Sequence, residues 1–153
     1  MALANVIAAP FNNILSEKVE LYLTGALPPQ RTISESLREV PRVIWRQMSI
    51  ILYFIPRALV LLVLFFIPVV NVLAAPLWFL FSAWFMAIQY IDFPTDNHKI
   101  SFPDVRVWAG EHRWATLGLG ASILLAMMIP GLNLVTMPAA VAAATKFWLE
   151  ENR

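Results

Sequence analysis

The sequence contains no cysteine, only two histidines and five glycines, and charged residues fill just 14% of its 153 positions. Without cysteine there is no disulfide framework, no thiolate nucleophile and no thiolate zinc site. Two histidines and no HExxH pairing leave little for a transition metal, so a site built from Asp96, His98 and His112 is not expected. No glycine-rich phosphate loop, nucleophile elbow or Ser/His/Asp arrangement occurs, and neither catalysis nor a cofactor is expected. Eleven Lys and Arg against ten Asp and Glu give a net charge of +1, which argues against nucleic-acid binding. Soluble domains run to about 25% charged and 45–50% apolar residues. Here 59% are hydrophobic. That excludes a disordered chain, disfavours a soluble domain and leaves a membrane protein.

The charges that are present are unevenly spread. Between Arg57 and Asp92 lie 34 uncharged residues, and between Arg113 and Lys146 lie 32 more. Each stretch exceeds the ~18–20 apolar residues of a single membrane segment, and each is interrupted near its middle. The interruptions repeat at an offset of 62: Ile67-Pro68, Asn71 and Pro76 fall on Ile129-Pro130, Asn133 and Pro138. Proline ends a helix because it lacks a backbone donor and clashes with the preceding turn. Asn and Gly suit a turn, and a proline near the start of the return helix is harmless. The repeat therefore predicts two helical hairpins, with Pro68, Asn71, Pro130 and Asn133 at their tips.

The arms Pro76–Ile91 and Trp114–Ile129 have 16 residues each, and Ala58–Ile67 has 10. At 1.5 Å per residue these reach roughly 24 Å and 15 Å, short of a hydrocarbon core of about 30 Å. The expectation is an all-α membrane protein of amphipathic interfacial helices and two partly inserted, re-entrant hairpins. Irregular backbone at membrane depth must be covered by protein or line a water-filled cavity, so the tips imply a homo-oligomer or a further segment. Full spans are the competing topology, with Met48–Ile67 as a window that carries Pro56 and Arg57 near its middle. If the hairpins dip, residues 31–57, 92–113 and the C-terminal tail share one side.

The chain divides as one embedded domain, 1–153. Residues 1–27 predict a kinked helix, with Ile7, Phe11, Ile14, Leu15 and Tyr22 as its apolar face and Asn12, Asn13, Ser16, Glu17 and Glu20 as polar positions. It lacks the basic n-region of a signal peptide, and its start is compatible with the end of a spanning helix. Leu27-Pro28-Pro29 stop it. Residues 31–57 predict a second helix, opened by a Thr32/Glu35 capping box and bent at Pro41. Ile33, Leu37, Val40, Ile44, Met48 and Ile51 form its apolar stripe, with Arg38, Arg42 and Arg46 four apart on another face. Five Arg against two Glu make this segment +3, as expected of a helix lying on an anionic, cytoplasmic-side membrane surface. The first hairpin follows at 58–91, a polar connection at 92–113 and the second hairpin at 114–145. Trp45, Trp108, Trp114 and Trp148 stand near segment ends, as interfacial tryptophans do.

Few residues are placed to carry chemistry. Asp92, Asp96 and His98 cluster beyond the first hairpin and are candidates for proton transfer, since His titrates near neutral pH. They are equally suited to turns and caps. Arg57, where polar chain meets apolar hairpin, is the first candidate for an anion contact, with Arg46, Arg42 and Arg38 behind it.

Ala8-Ala9-Pro10-Phe11-Asn12, Leu23-Thr24-Gly25-Ala26 with Pro28-Pro29, and Pro56-Arg57-Ala58 resemble segments of the CysZ-type sulfate permeases of bacteria. So do Phe66-Ile67-Pro68, Leu77-Trp78-Phe79-Leu80-Phe81-Ser82-Ala83-Trp84, Ile129-Pro130 and Asn133-Leu134. The most specific block is Ala87-Ile88-Gln89-Tyr90-Ile91-Asp92-Phe93-Pro94 with Asp96-Asn97-His98-Lys99. The resemblance implies an oligomeric protein of the bacterial inner membrane, multi-pass or re-entrant. It implies proton-dependent sulfate uptake that supplies cysteine biosynthesis, and paired helices that enter the bilayer only partly. That family carries a further N-terminal portion with a spanning helix and adjacent arginines taken to contact the anion. No position here matches those arginines, so this sequence is expected to correspond to the carboxy-terminal part. A non-transporting membrane assembly module is the alternative.

Overall fold

Helix fills most of the described residues. The structure, a computed structural model, describes residues 2–25 and 33–152, with side chains over 11–25, 41–132 and 135–152. Six helices follow in order: α1 (Ala2–Thr24), α2 (Ile33–Phe65), α3 (Asn71–Asn97), α4 (Phe102–Glu111), α5 (Arg113–Met127) and α6 (Asn133–Glu151). No strand occurs among the described residues. The expected stop at Leu27-Pro28-Pro29, the Thr32/Glu35 capping box and the Arg38 side chain lie outside the described residues.

The two predicted breaks are turns of the same build. Helices α2 and α3 are joined through residues 66–70, and α5 and α6 through 128–132. In each, the residue after the proline is left-handed: Val69 at φ 72° and Gly131 at φ 89°. The offset of 62 thus holds for backbone geometry as well as for residue type. Glycine meets that demand freely, whereas a β-branched valine is strained there. Asn71 and Asn133, expected from sequence as turn residues, lie just beyond the turns. They are the first residues of the return helices.

The helices overrun the arms measured between prolines and charges. Helix α2 continues through Pro41 and Pro56 for 33 residues, and α3 through Pro76 and Pro94 for 27. Pro41–Phe65 and Asn71–Asn97 are each long and apolar enough to cross a membrane. Length alone therefore does not force the first pair to dip, contrary to the arm arithmetic. The expected boundary between a surface helix and a hairpin arm at Arg57 is not an element boundary, and Asp92, Asp96 and Asn97 belong to the last turns of α3.

Helix α3 is the hub and touches each of the other five. Its closest neighbour is α5, because Gly120 allows backbone contact: a β-carbon there would stand 1.8 Å from the Ala83 carbonyl oxygen. Ala87, Ile91, Ile123, Val141 and Ala144 fill one core, and Ile50, Phe54, Ile88, Phe102 and Ala109 a second. The short α4 begins at Ser101, whose hydroxyl caps the Asp104 N–H at 3.4 Å, and docks on α2 and α3.

On α1 and the described start of α2, polar side chains are buried while large apolar ones are exposed. On α1 the polar Ser16 and Glu20 are buried, while Phe11, Ile14 and Tyr22 are exposed. On α2 Arg46 is buried, while Ile44, Trp45 and Met48 are exposed. Arg46, expected on an outward basic stripe at a membrane surface, turns into the protein instead, with Arg42 half-buried beside it. Polar contacts between helices and apolar residues outside are what a hydrocarbon surround selects.

Candidate functional site

Arg42 and Arg46 lie one turn apart on α2 and face Asp92, Thr95 and Asp96 in the last turns of α3. Arg46 Nη2 is 2.8 Å from Asp92 Oδ1 and its Nε is 2.9 Å from the same oxygen. The Arg46 guanidinium also lies 3.5 Å from Asp96 Oδ1, donates to Thr95 Oγ1 at 3.1 Å and donates to the Ile100 carbonyl. Arg42 Nη1 reaches Asp96 Oδ1 at 2.7 Å. The side chains of Arg46 and Asp96 are only 7% and 6% exposed. Two cations and two anions close this cluster on itself. It holds α2 against the end of α3, and lets α3 run on past two carboxylates that would otherwise have to end in water. Removing one partner of such a pair costs about 3–5 kcal/mol, because the other charge stays buried.

His98 belongs to a different cluster. It follows the end of α3 and turns toward α1 and α6. Its Nε2 lies 2.8 Å from Glu20 Oε1, and its ring centroid lies 4.5 Å from that of Trp148. Asn97 Nδ2 donates to the Asn13 carbonyl at 3.2 Å, and Ser16 and Thr145 hydroxyls share a buried bond of 2.9 Å. The three residues grouped by sequence proximity are thus divided: Asp92 and Asp96 hold arginines, and His98 holds Glu20. Glu20 escaped sequence reasoning as a polar helix position. Its spacing from Asn13 and Ser16, which puts all three on one helical face, is the signal that marks it.

Arg57 stands apart from both clusters. It is exposed, donates to the Tyr53 carbonyl one turn back, and sets its guanidinium carbon 3.7 Å from the Tyr53 ring centroid. Arg106 of α4, also missed from sequence, sets its own 4.4 Å from the same ring. His112 pairs with Glu151 at 3.3 Å, so His98 and His112 serve separate contacts. Trp45 and Trp114 are exposed, as interfacial residues would be, whereas Trp148 is buried beneath His98. At the tips Asn71 is exposed, as are Pro68 and Pro130, and the Asn133 side chain lies outside the described residues.

With this geometry in view, comparison with known proteins gives one consistent result. Residues 1–138 match the family described as sulfate transporter CysZ/etoposide-induced protein 2.4. A Pseudomonas paraeruginosa protein named sulfate transporter CysZ is 52% identical over 151 residues, which is 97% of this chain and 61% of that protein. Its namesake in Pseudomonas fluorescens is 52% identical over 152 residues, 98% of this chain and 61% of the relative. The Pectobacterium atrosepticum one is 47% identical over 152 residues, 99% and 55%. The chain spans about three fifths of the length of these relatives, and their shared name describes transport rather than catalysis. On the extent of the match and the identity along nearly its whole length, the chain belongs to the sulfate transporter CysZ/etoposide-induced protein 2.4 family.

Proposed function

We propose that the chain serves proton-dependent sulfate uptake across a bacterial inner membrane, supplying sulfur for cysteine biosynthesis, and that it works as a homo-oligomer. The observation that carries this reading is the burial of polar side chains and exposure of large apolar ones on α1 and the start of α2, in a chain half-identical to relatives named sulfate transporters. Apolar residues outside and paired polar residues inside suit a protein whose solvent is lipid and whose cargo is ionic.

Sulfate must exchange its water for guanidinium or N–H donors. Of the anion-contact candidates, Arg42 and Arg46 are occupied by Asp92 and Asp96. Arg57 has no carboxylate partner among the described residues and offers its guanidinium to an oxyanion. Of the proton-linked candidates, Asp92 and Asp96 hold arginines of α2, and His98 is joined to a carboxylate, Glu20 of α1.

The hairpins are read as re-entrant on depth. Helix α4, with Asp104, Arg106 and Glu111, packs on α2 at Tyr53, where the Phe102 and Tyr53 rings are 5.8 Å apart. That polar helix sets the interfacial level. From Tyr53 to the end of α2 at Phe65 is 13 residues, about 20 Å, and α5 with 15 residues is about 22 Å, both short of about 30 Å. Because the chain lacks cysteine, a cysteine placed at Val69 is its sole thiol. Labelling from neither side of the membrane fits a tip at mid-depth; labelling from the side opposite Asp104 means full spans.

Radiolabelled sulfate uptake into proteoliposomes tests the function, comparing this chain with a full-length relative. Uptake by the relative and none by this chain, at matched incorporation, favours the second reading: an assembly module whose exposed apolar hairpins bind other membrane segments.

A further inference from the structure

We propose that Arg57 and Arg106, gathered around the ring of Tyr53, clamp the phosphodiester of an anionic phospholipid whose acyl chain lies in the groove between α2 and α3. It rests on the reading of Arg57 as an oxyanion contact above and assigns that contact to a lipid phosphate in place of free sulfate.

Three observations converge on it. First, two guanidinium carbons stand 3.7 Å and 4.4 Å from one aromatic centroid. Cation–π attraction at an exposed ring offsets only about 0.5–1 kcal/mol for each, and the two cations repel one another. No carboxylate among the described residues pairs with either, although Arg42, Arg46, His98, His112 and Lys146 all have acidic partners. An anion at the edge of that ring, within reach of both, is the missing charge. A phosphodiester that accepts N–H···O bonds of about 2.8 Å from both sides fits such a pair.

Second, Arg57 is the only charged residue along an open groove of about 550 Å³ lined by Pro56, Val60, Leu61, Leu77 and Phe81. Free sulfate has nothing to place there. A phospholipid brings both parts in one molecule: an anion for the mouth and a hydrocarbon chain for the wall.

Third, the position along the helices is right for a headgroup. Arg106 comes from the polar α4, and beyond Arg57 the two helices expose Leu59, Val60, Val63, Phe65, Val72 and Leu73. The cationic pair therefore sits at the boundary between polar and apolar surface, where a lipid phosphate lies.

The test is lipid retention by the purified chain in mild detergent, read by native mass spectrometry after equilibration with equal phosphatidylglycerol and phosphatidylcholine. We expect at least a five-fold preference for phosphatidylglycerol, a several-fold loss in Arg57→Gln and in Arg106→Gln, and partial retention in Arg57→Lys. Helical content by circular dichroism checks that the variants fold. The headgroup comparison on the unaltered chain decides the matter if they do not. Equal retention of the two lipids, or an unchanged preference in the double Gln variant, overturns the proposal. Displacement of phosphatidylglycerol by millimolar sodium sulfate also overturns it, and leaves Arg57 as a contact for the free ion. Sulfate uptake is not read, so failure here is separable from failure of the transport reading.

Discussion

The base of the molecule and its two tips meet opposite demands. At the base, Arg46, Asp92, Asp96 and Glu20 are drawn into protein and pair across helices with one another or with Arg42 and His98, each 37% exposed. At the tips, Phe66, Val69, Met128 and Ile129 are exposed, and the backbone turns through a left-handed residue after each proline. The base is held by mutual satisfaction of charge within one chain. The tips, by contrast, leave turn backbone and apolar side chains to be covered by something else. In water that division would be unstable in both places. In lipid it is the low-energy arrangement, because hydrocarbon accepts the apolar tips and rejects unpaired charge.

The largest expected effect breaks the base. Arg46→Leu leaves Asp92 and Asp96 buried with only Arg42 between them. It should destabilise the folded chain by about 3–5 kcal/mol, seen as a large drop in thermal midpoint in detergent. A drop no larger than that of an exposed control such as Arg113→Leu would show that the cluster is not a clamp. Next comes the seam that joins base to tips. Gly120→Ala pushes a methyl into the Ala83 carbonyl and should cost about 1–3 kcal/mol by prising α5 from α3. An unchanged midpoint would mean the two helices are farther apart than described.

The tips offer a gain rather than a loss. Val69→Gly removes a β-branched residue from φ 72° and should stabilise by about 1 kcal/mol, while Gly131→Val at the matching position should destabilise by a similar amount. Opposite signs at two positions 62 apart would sharpen the claim that the hairpins are one unit used twice, and equal signs would break it. The smallest effect lies at the α1–α6 contact. In a double-mutant cycle, Ser16→Ala and Thr145→Val should couple by about 0.6 kcal/mol through their shared hydroxyl bond. A coupling of zero would remove that bond from the forces that dock α1.

Much of this could be read along the chain, and some could not. Pro68 and Pro130 mark the turns correctly because a missing N–H acts on its own helix, whatever lies around it. Pro41, Pro56, Pro76 and Pro94 lack the same N–H and yet lie inside α2 and α3. Arg42 and Arg46 were picked out as unusual, but as groups facing outward to an anion. Their partners lie 54 and 46 residues away, and helical periodicity ranks the faces of one helix without saying which neighbour each face meets. Glu20 and His98 are 78 residues apart and were never candidates as a pair. Arg106 looked like one more charge in a polar connection until α4 brought it over Tyr53.

Composition, the uncharged tracts and the repeat by themselves determined that this is an all-helical chain with two turns of like build and a surface suited to lipid. Those features follow from backbone chemistry and from side-chain hydration, which act residue by residue. Which carboxylate holds which arginine, that α1 and α2 turn their polar faces inward, and that Arg57 and Arg106 share one ring were decided only when α3 took its place among five neighbours. Charge pairing falls off with distance in space and is indifferent to distance along the chain, so only the packed helices could select the partners.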